Sequence, residues 1–356
     1  MAPDGDIVIT GGAGFLGANL AVALAERRPG ARIVAFDNLA RRGSELNLPR
    51  LREAGVRFVH GDVREPGDLL ALGPVAQLVE CSAEPSIMAG VTSAPDYLVR
   101  TNLLGAYHCL ELARRDEAQL VFLSTSRVYP VPRLREVVLE EDTTRFRIAP
   151  EQRLPGVSAA GISESFPLHG ARTLYGATKL SAELLVEEYR ESYGLSACVL
   201  RFGVVAGPWQ MGRVDQGVFA YWALAHAFGR PLRYFGFGGS GRQVRDLLHV
   251  EDAAELIDEV LRGPSIWDGV IANVGGGPEV SLSLAEATSL CEEISGRRGL
   301  VQGQSEERPG DVPLYISDTA RLQGVTAWRP GRSARQTIED IFAWIADNED
   351  IARSIG

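Results

Sequence analysis

Residues 9–20 read "ITGGAGFLGANL", and the spacing of three glycines in this stretch decides the fold. Gly11, Gly14 and Gly17 fall between a β-branched run, "DIVIT" (6–10), and a helical pattern in which Leu16, Leu20 and Leu24 share one stripe. A strand that turns into a helix through glycines leaves the helix N-terminus open, and its N–H groups and dipole attract an anion. Gly11 is expected to permit the tight turn and Gly14 to let the backbone approach a pyrophosphate. Gly17 is expected to let the helix pack closely on the sheet. Asp37 stands 20 residues beyond Gly17, at the end of the next strand candidate, "RIVAFD" (32–37). A carboxylate there accepts hydrogen bonds from adenosine ribose hydroxyls and repels a 2′-phosphate. The stretch predicts dinucleotide binding, with NAD favoured over NADP even though Arg41 and Arg42 follow on the next loop.

Outward from this turn, short β-branched runs alternate with helix-length segments. "VRFVHGD" (56–62), "AQLVEC" (76–81), "QLVFLST" (119–125) and "ACVLRFG" (197–203) are the further strand candidates. Such alternation predicts parallel βαβ units, hence an α/β protein with a Rossmann-type doubly wound parallel sheet. Asp62 ends the third strand, placed either to reach the adenine or to cap the helix that follows. From about residue 204 the pattern changes to Gly-rich, aromatic loops, and a smaller C-terminal α/β substrate domain is expected. The cofactor domain is assigned 1–203 plus roughly 246–272, and the second domain 204–245 and 273–356. Residues 130–174 form a long connection rich in Pro, Gly and charge, and are expected to shape the substrate pocket.

The net charge of −10 over 356 residues argues against indiscriminate nucleic-acid binding, which wants a basic surplus. Cys81, Cys109, Cys198 and Cys291 are far apart and show no metal-ligand spacing, so buried thiols and no metal are expected. With no basic leader and no run of 18 apolar residues, the sequence predicts a soluble cytoplasmic protein with no membrane partner.

One residue stands apart in composition. Lys179, in "YGATK" (175–179), is the only lysine, against 35 arginines. Tyr175 and Lys179 are i and i+4 on the helix that this motif opens, and so share a face. An ammonium one turn from a phenol stabilises the tyrosinate, which makes Tyr175 a candidate general base. The strand before it ends in "FLSTSRVYP", where Ser124, Thr125 and Ser126 are hydroxyl candidates. Thr125 is the choice for holding the substrate oxygen.

Gly11-x-x-Gly14-x-x-Gly17, Asp37, Asp62, Asn102 in "TNLLGA", Thr125 in "STSRVY" and Tyr175-x-x-x-Lys179 together resemble the extended short-chain dehydrogenase/reductases that act on nucleotide sugars. The resemblance runs through "GRQVRDLLHVEDAA" (241–254) and "ERPGDVPLYISD" (307–318). It implies that Phe15, Leu16, Asn38, Val63, Ser82, Phe202 and Val205 join the three glycines, Asp37, Asp62, Asn102, Tyr175 and Lys179 in binding NAD. It implies a nucleotide-sugar site of Arg127, Gln210, Gln216, Arg245, Arg308 and Asp311, where arginine forks meet phosphate bidentately. It also implies a homodimer paired through two long helices per subunit, roughly 96–114 and 175–193.

Within that family the 4,6-dehydratases carry Asp-Glu after the catalytic Thr. Here Ser126 and Arg127 stand there, and the carboxylates for eliminating water are missing. "FDNLARRGSELNL", "STSRVY", the long insert, "VDQGVFAYW" and "GGSGRQVRDLLH" are most similar to CDP-paratose (CDP-tyvelose) 2-epimerases. The resemblance thus implies redox-neutral inversion at C2 of a CDP-sugar, the alternatives being a nucleotide-sugar 4-epimerase or another extended short-chain dehydrogenase/reductase and, more remotely, a non-catalytic NAD-sensing protein. Two departures stand out: Glu80 in "ECSAEPS" replaces a His usual in the family, and Val204 in "RFGVVAGP" replaces a polar residue.

Overall fold

In the computed structural model, residues 5–91, 94–212 and 216–355 are described. Seven strands form one sheet: β1 (Asp6–Thr10), β2 (Ile33–Asp37), β3 (Arg57–His60), β4 (Val75–Glu80), β5 (Gln119–Thr125), β6 (Ala197–Phe202) and β7 (Ile271–Val274). Their order is β7-β6-β5-β4-β1-β2-β3, so the chain winds outward in both directions from β1 and β4. The pairs among the first five strands are parallel. The reversal of direction between β1 and β4 is the switch point where doubly wound sheets bind ligands, beyond the strands' C-terminal ends.

β2, β5 and β6 are buried along their whole length, as expected of strands covered on both faces. α1 (Phe15–Arg27) buries Gly17, Ala18, Leu20, Ala21 and Leu24, while Leu16 at its start is only partly covered. α2 (Gly105–Arg115) contributes Cys109, Leu110, Leu112 and Ala113 to a core shared with Leu78 of β4 and Leu120 and Phe122 of β5. α3 (Leu174–Tyr193) adds Ala182, Val186 and Tyr189 to the same core. Each fully buried Leu, Val or Phe contributes about 1.5–3 kcal/mol.

The chain divides into two units. The first is Met1–Val128, Leu174–Arg201 and Ala253–Ala272, and the second is Tyr129–Thr173, Phe202–Asp252 and Asn273–Gly356. Within the second, Val244–His249 pairs in parallel with Val204–Ala206 and Leu314–Tyr315 and antiparallel with Ser281–Ser283. Its core packs Phe219, Trp222 and Leu224 against Leu290, Ile338, Ile341 and Trp344. Helix Leu284–Ser295 opens on a capping box between Ser283 and Glu286, an arrangement worth about 1 kcal/mol.

The unit boundaries differ from the sequence expectation at three places, residues 129–173, 202–203 and 246–252. Residues 129–173, expected in the cofactor domain, lie in the second unit because their long-range bonds go there. Ile162 N donates to Ile316 O at 2.8 Å, and the Tyr129 hydroxyl donates to Asn273 Oδ1 at 2.7 Å. The hairpin Leu139–Glu141/Phe146–Ile148 packs on Val244, Leu314 and Ile316. Residues 246–252 also lie in the second unit, since the strand pairings of Val244–His249 are made there.

Candidate active site

The glycine turn is built by backbone contact. Gly11 has φ of 62°, a conformation costly for any residue with a Cβ, and its carbonyl accepts from Gly14 N at 2.9 Å. Gly14 is the N-cap of α1, makes no side-chain cap, and is followed by no acidic residue in the first turn. The first turn of α1 thus carries no capping side chain and no acid of its own to rival a phosphate, which fits a dinucleotide pyrophosphate. Gly17 differs from expectation in detail. A Cβ there would collide with the Gly11 carbonyl, so the helix packs on the turn itself. Gly12 makes the approach to the sheet, since its Cβ would lie 2.6 Å from Ala35 Cα.

Asp37 closes this turn. Its carboxylate accepts from Ala13 N at 3.1 Å and from Leu39 N at 2.8 Å. Burial still pushes its pKa up, against those backbone bonds. Asn47, which the sequence did not single out, completes the stitch by donating to Ala13 O at 2.9 Å. Asn38 and Asp62 meet: Asn38 Nδ2 donates to Asp62 Oδ2 at 2.9 Å, and Arg64 grips the same carboxylate at 2.5–3.0 Å. Burial pushes Asp62 up, but the bonds from Arg64 and Asn38 outweigh it and hold the carboxyl down at about 2. Val63 is a core residue packed beneath Gly105.

Asn102 sits in a π-helical turn, Arg100–Leu104, a distortion common at functional sites. Its amide clasps the loop after β4, accepting from Glu84 N at 2.8 Å and donating to Glu84 O at 3.1 Å. It also donates to Thr178 Oγ1 at 3.3 Å, which ties that loop to α3. Ser82, in the same loop, is buried and its N–H bonds the Glu80 carboxylate.

α3 packs along β5 and the turn Ser126–Val128 that follows it. This brings the end of β5, with Thr125, beside the helix that carries Tyr175 and Lys179. Thr125 Oγ1 accepts from Arg127 N at 3.2 Å. Tyr175 is partly buried and Lys179 fully so. The Lys179 ammonium donates to Glu80 Oε2 at 3.0 Å and lies 4.0 Å from the centre of the Phe122 ring. Burial pushes Glu80 up, and Lys179 opposes that rise.

A second buried network continues along the same face of α3. Glu183, one turn beyond Lys179, receives Arg201 of β6 at 2.7–3.2 Å, and Ser124 Oγ also donates to it. Sequence reading passed over both partners. The signals were an acid on the inward face of a helix and an arginine inside an otherwise apolar strand.

The remaining site candidates lie in the second unit. Arg245 and Asp311 are brought together, with Arg245 Nη2 donating to Asp311 Oδ1 at 2.6 Å and to Val312 O at 2.8 Å. Arg308 stacks 3.6 Å over the Phe235 ring. Arg135, unremarked in the sequence, donates to Asp311 O at 2.8–3.0 Å, so the long insert supplies a third arginine here. Gln210 donates to Val205 O at 2.9 Å, and Val205 pairs with Leu248. Phe202 is buried at the end of β6, and Gln216 lies next to residues outside the described set.

Fold and site together define an NAD-dependent enzyme. The model of the NAD dependent epimerase/dehydratase family matches residues 7–275, and the chain belongs to that family. It is 29% identical to a CDP-paratose 2-epimerase of Salmonella typhi, over 95% of this chain and 98% of that one. It is 27% identical to a probable UDP-glucuronate 4-epimerase of Rhizobium meliloti, over 96% and 97%. Among solved structures it is similar to the UDP-glucose 4-epimerase of Thermus thermophilus in complex with NAD. That similarity has a TM-score of 0.77 and 26% identity, covering 96% of this chain and 99% of the other. Among the described residues no helix is long and apolar enough to cross a membrane.

Proposed function

We propose that this enzyme inverts C2 of a CDP-sugar of the paratose/tyvelose type through a transient keto sugar. The observation that carries the reading is the position after Thr125. Ser126 and Arg127 stand where elimination would need two carboxylates, beside an otherwise complete Thr-Tyr-Lys set. Similarity to the Salmonella typhi 2-epimerase along nearly the whole chain supports C2 and the cytidine nucleotide.

In this reading Tyr175 takes the proton of the sugar hydroxyl and returns it after inversion. Lys179 stabilises the tyrosinate and orients the nicotinamide ribose, and Thr125 donates to the reacting oxygen. NAD, when bound, supplies a reversible hydride acceptor. Gly11, Gly14, Gly17 and Asp37 hold its pyrophosphate and adenosine ribose. Arg245 and Arg308, with Asp311, bind the substrate diphosphate and ribose, while Arg127, Gln210 and Gln216 contact the sugar.

The working enzyme is a cytoplasmic homodimer in this reading. Tyr97, Leu104 and Tyr107 on one helical stretch, and Leu184 and Tyr193 on α3, are exposed apolar side chains that support pairing through these two helices. Light scattering of Leu184→Glu against the unaltered chain tests it, and a monomeric unaltered chain refutes it.

The chemical test is isotopic. A CDP-sugar deuterated at C2 should give epimer still deuterated there in ordinary water, with no net NADH. Loss of label to solvent would sink the redox cycle. Inversion at C4 instead, with a C4 deuterium retained, would assign 4-epimerisation.

A further inference from the structure

The pair formed by Lys179 and Glu80 raises a physical problem. Only 2% of the Lys179 side chain and 1% of the Glu80 side chain reach solvent. An isolated ammonium at such a site costs several kcal/mol and sheds its proton instead. Yet the chemistry above needs that ammonium charged and held one turn from Tyr175.

The surroundings of Lys179 supply the counter-charge at one point. Glu80 ends β4, in register with Thr10 of β1 on one side and Phe122 of β5 on the other. Lys179 reaches down from α3 to this strand end, where the carboxylate takes one of its three donors and the Phe122 face lies against its charge. The carboxylate is itself fixed by Ser82 N. The other ionisable groups around the pair do not substitute for it. Cys81 from the end of β4 and Cys109 from α2 are thiols pushed well up, first by burial and then by Glu80. Glu183 on α3 is already committed to Arg201 of β6. Tyr175 is the group that the charge serves.

We propose that Glu80 is a positioning residue of the reaction centre. Its buried carboxylate keeps the Lys179 side chain charged and anchored, and acts on catalysis only through that lysine. This rests on the oxidoreductive role given to Tyr175 and Lys179 above, and is independent of which sugar carbon reacts. It also accounts for the departure at position 80. Where this chain carries an acid, the buried lysine gains a full counter-ion at the C-terminal end of β4.

The single lysine makes a direct test possible, because protein labelled with 13C and 15N in lysine gives one side-chain signal. Cε and Nζ shifts of Lys179 are followed against pH, without substrate, in the NAD-loaded unaltered enzyme and in Glu80→Gln. The variant should lose the lysine proton at least about one pH unit lower. The alkaline limb of kcat should move down with it, with KM for the nucleotide sugar within about twofold. Glu80→Asp keeps the charge and carries the same measurement if the Gln variant fails to fold. Its lysine should titrate close to that of the unaltered enzyme while kcat falls at least about tenfold, as the anchor is shortened. A lysine signal that titrates alike in Glu80→Gln and the unaltered enzyme overturns the proposal. So does Glu80→Asp with unchanged kcat. Since the lysine signal is read without substrate, failure of the C2 assignment leaves this result standing, and the reverse also holds.

Discussion

Replacing Arg201 by Met tests whether α3 is pinned by its second buried ion pair. Arg201 and Glu183 leave only 4% and 2% of their side chains exposed, and the guanidinium meets both carboxylate oxygens. Removing one partner of such a pair strands the other, at a cost of about 3–5 kcal/mol. The first unit is roughly 175 residues long. At about 2–4 °C per kcal/mol for that size, its melting transition should fall by about 6–20 °C. The double variant Glu183→Leu/Arg201→Met removes both charges. It should recover all but about 1–3 kcal/mol, the residue being the hydroxyl of Ser124 left without its acceptor. Calorimetric scans and urea melts of the two single variants and the double variant close the cycle. An Arg201→Met transition within about 3 °C of the unaltered protein refutes the reasoning, as does a double variant as unstable as the sum of the singles.

Asp37 should give NAD at least about a 100-fold affinity advantage over NADP, because a unit charge about 4 Å from a phosphate costs about 4 kcal/mol at an effective dielectric of 20. Asp37→Ala should narrow that gap in titration calorimetry, and equal affinities in the unaltered enzyme would assign control to Arg41 or Arg42. Lys179→Arg should fold yet lose at least about 10²-fold in turnover, since the wider guanidinium displaces the cofactor and Tyr175. Lys179→Met should be worse and should also destabilise the fold by stranding Glu80, whereas near-normal turnover of the Arg variant refutes the requirement for lysine. Burial raises the Asp246 carboxyl to about 6, against bonds from Ser317 and Gly277. The folded state therefore holds that proton more tightly than the unfolded one, and the stability it brings is present at low pH and lost as pH rises through about 6. Between pH 7 and pH 5 the unaltered protein should gain about 1 kcal/mol on Asp246→Asn in urea melts, and a flat difference refutes it.

What was legible in the sequence is local in the chain. The glycine turn, Asp37 and the Tyr175/Lys179 spacing each depend on neighbours within a strand–turn–helix or one helical turn, and the structure puts them on those elements. The destination of residues 129–173 was hidden because it is decided by pairs such as Ile162 with Ile316, which no periodicity reports. Arg135 was invisible as one among 35 arginines. Glu80 was visible only as a departure from a family pattern. Its partner became known when β4, β5 and α3 were seen to converge on one buried ammonium. Asn102 was picked out by motif, but that its amide clasps Glu84 follows from a helical distortion that residue types do not announce.

The burial of Lys179 has a consequence for handling the protein. With its one ε-amine 2% exposed, the folded chain offers amine-acylating reagents no accessible lysine. Side-chain acylation then requires opening of the region around β4 and α3. The fraction of molecules modified at that lysine becomes a clock for how often α3 lifts from its sheet, read by mass spectrometry at one residue.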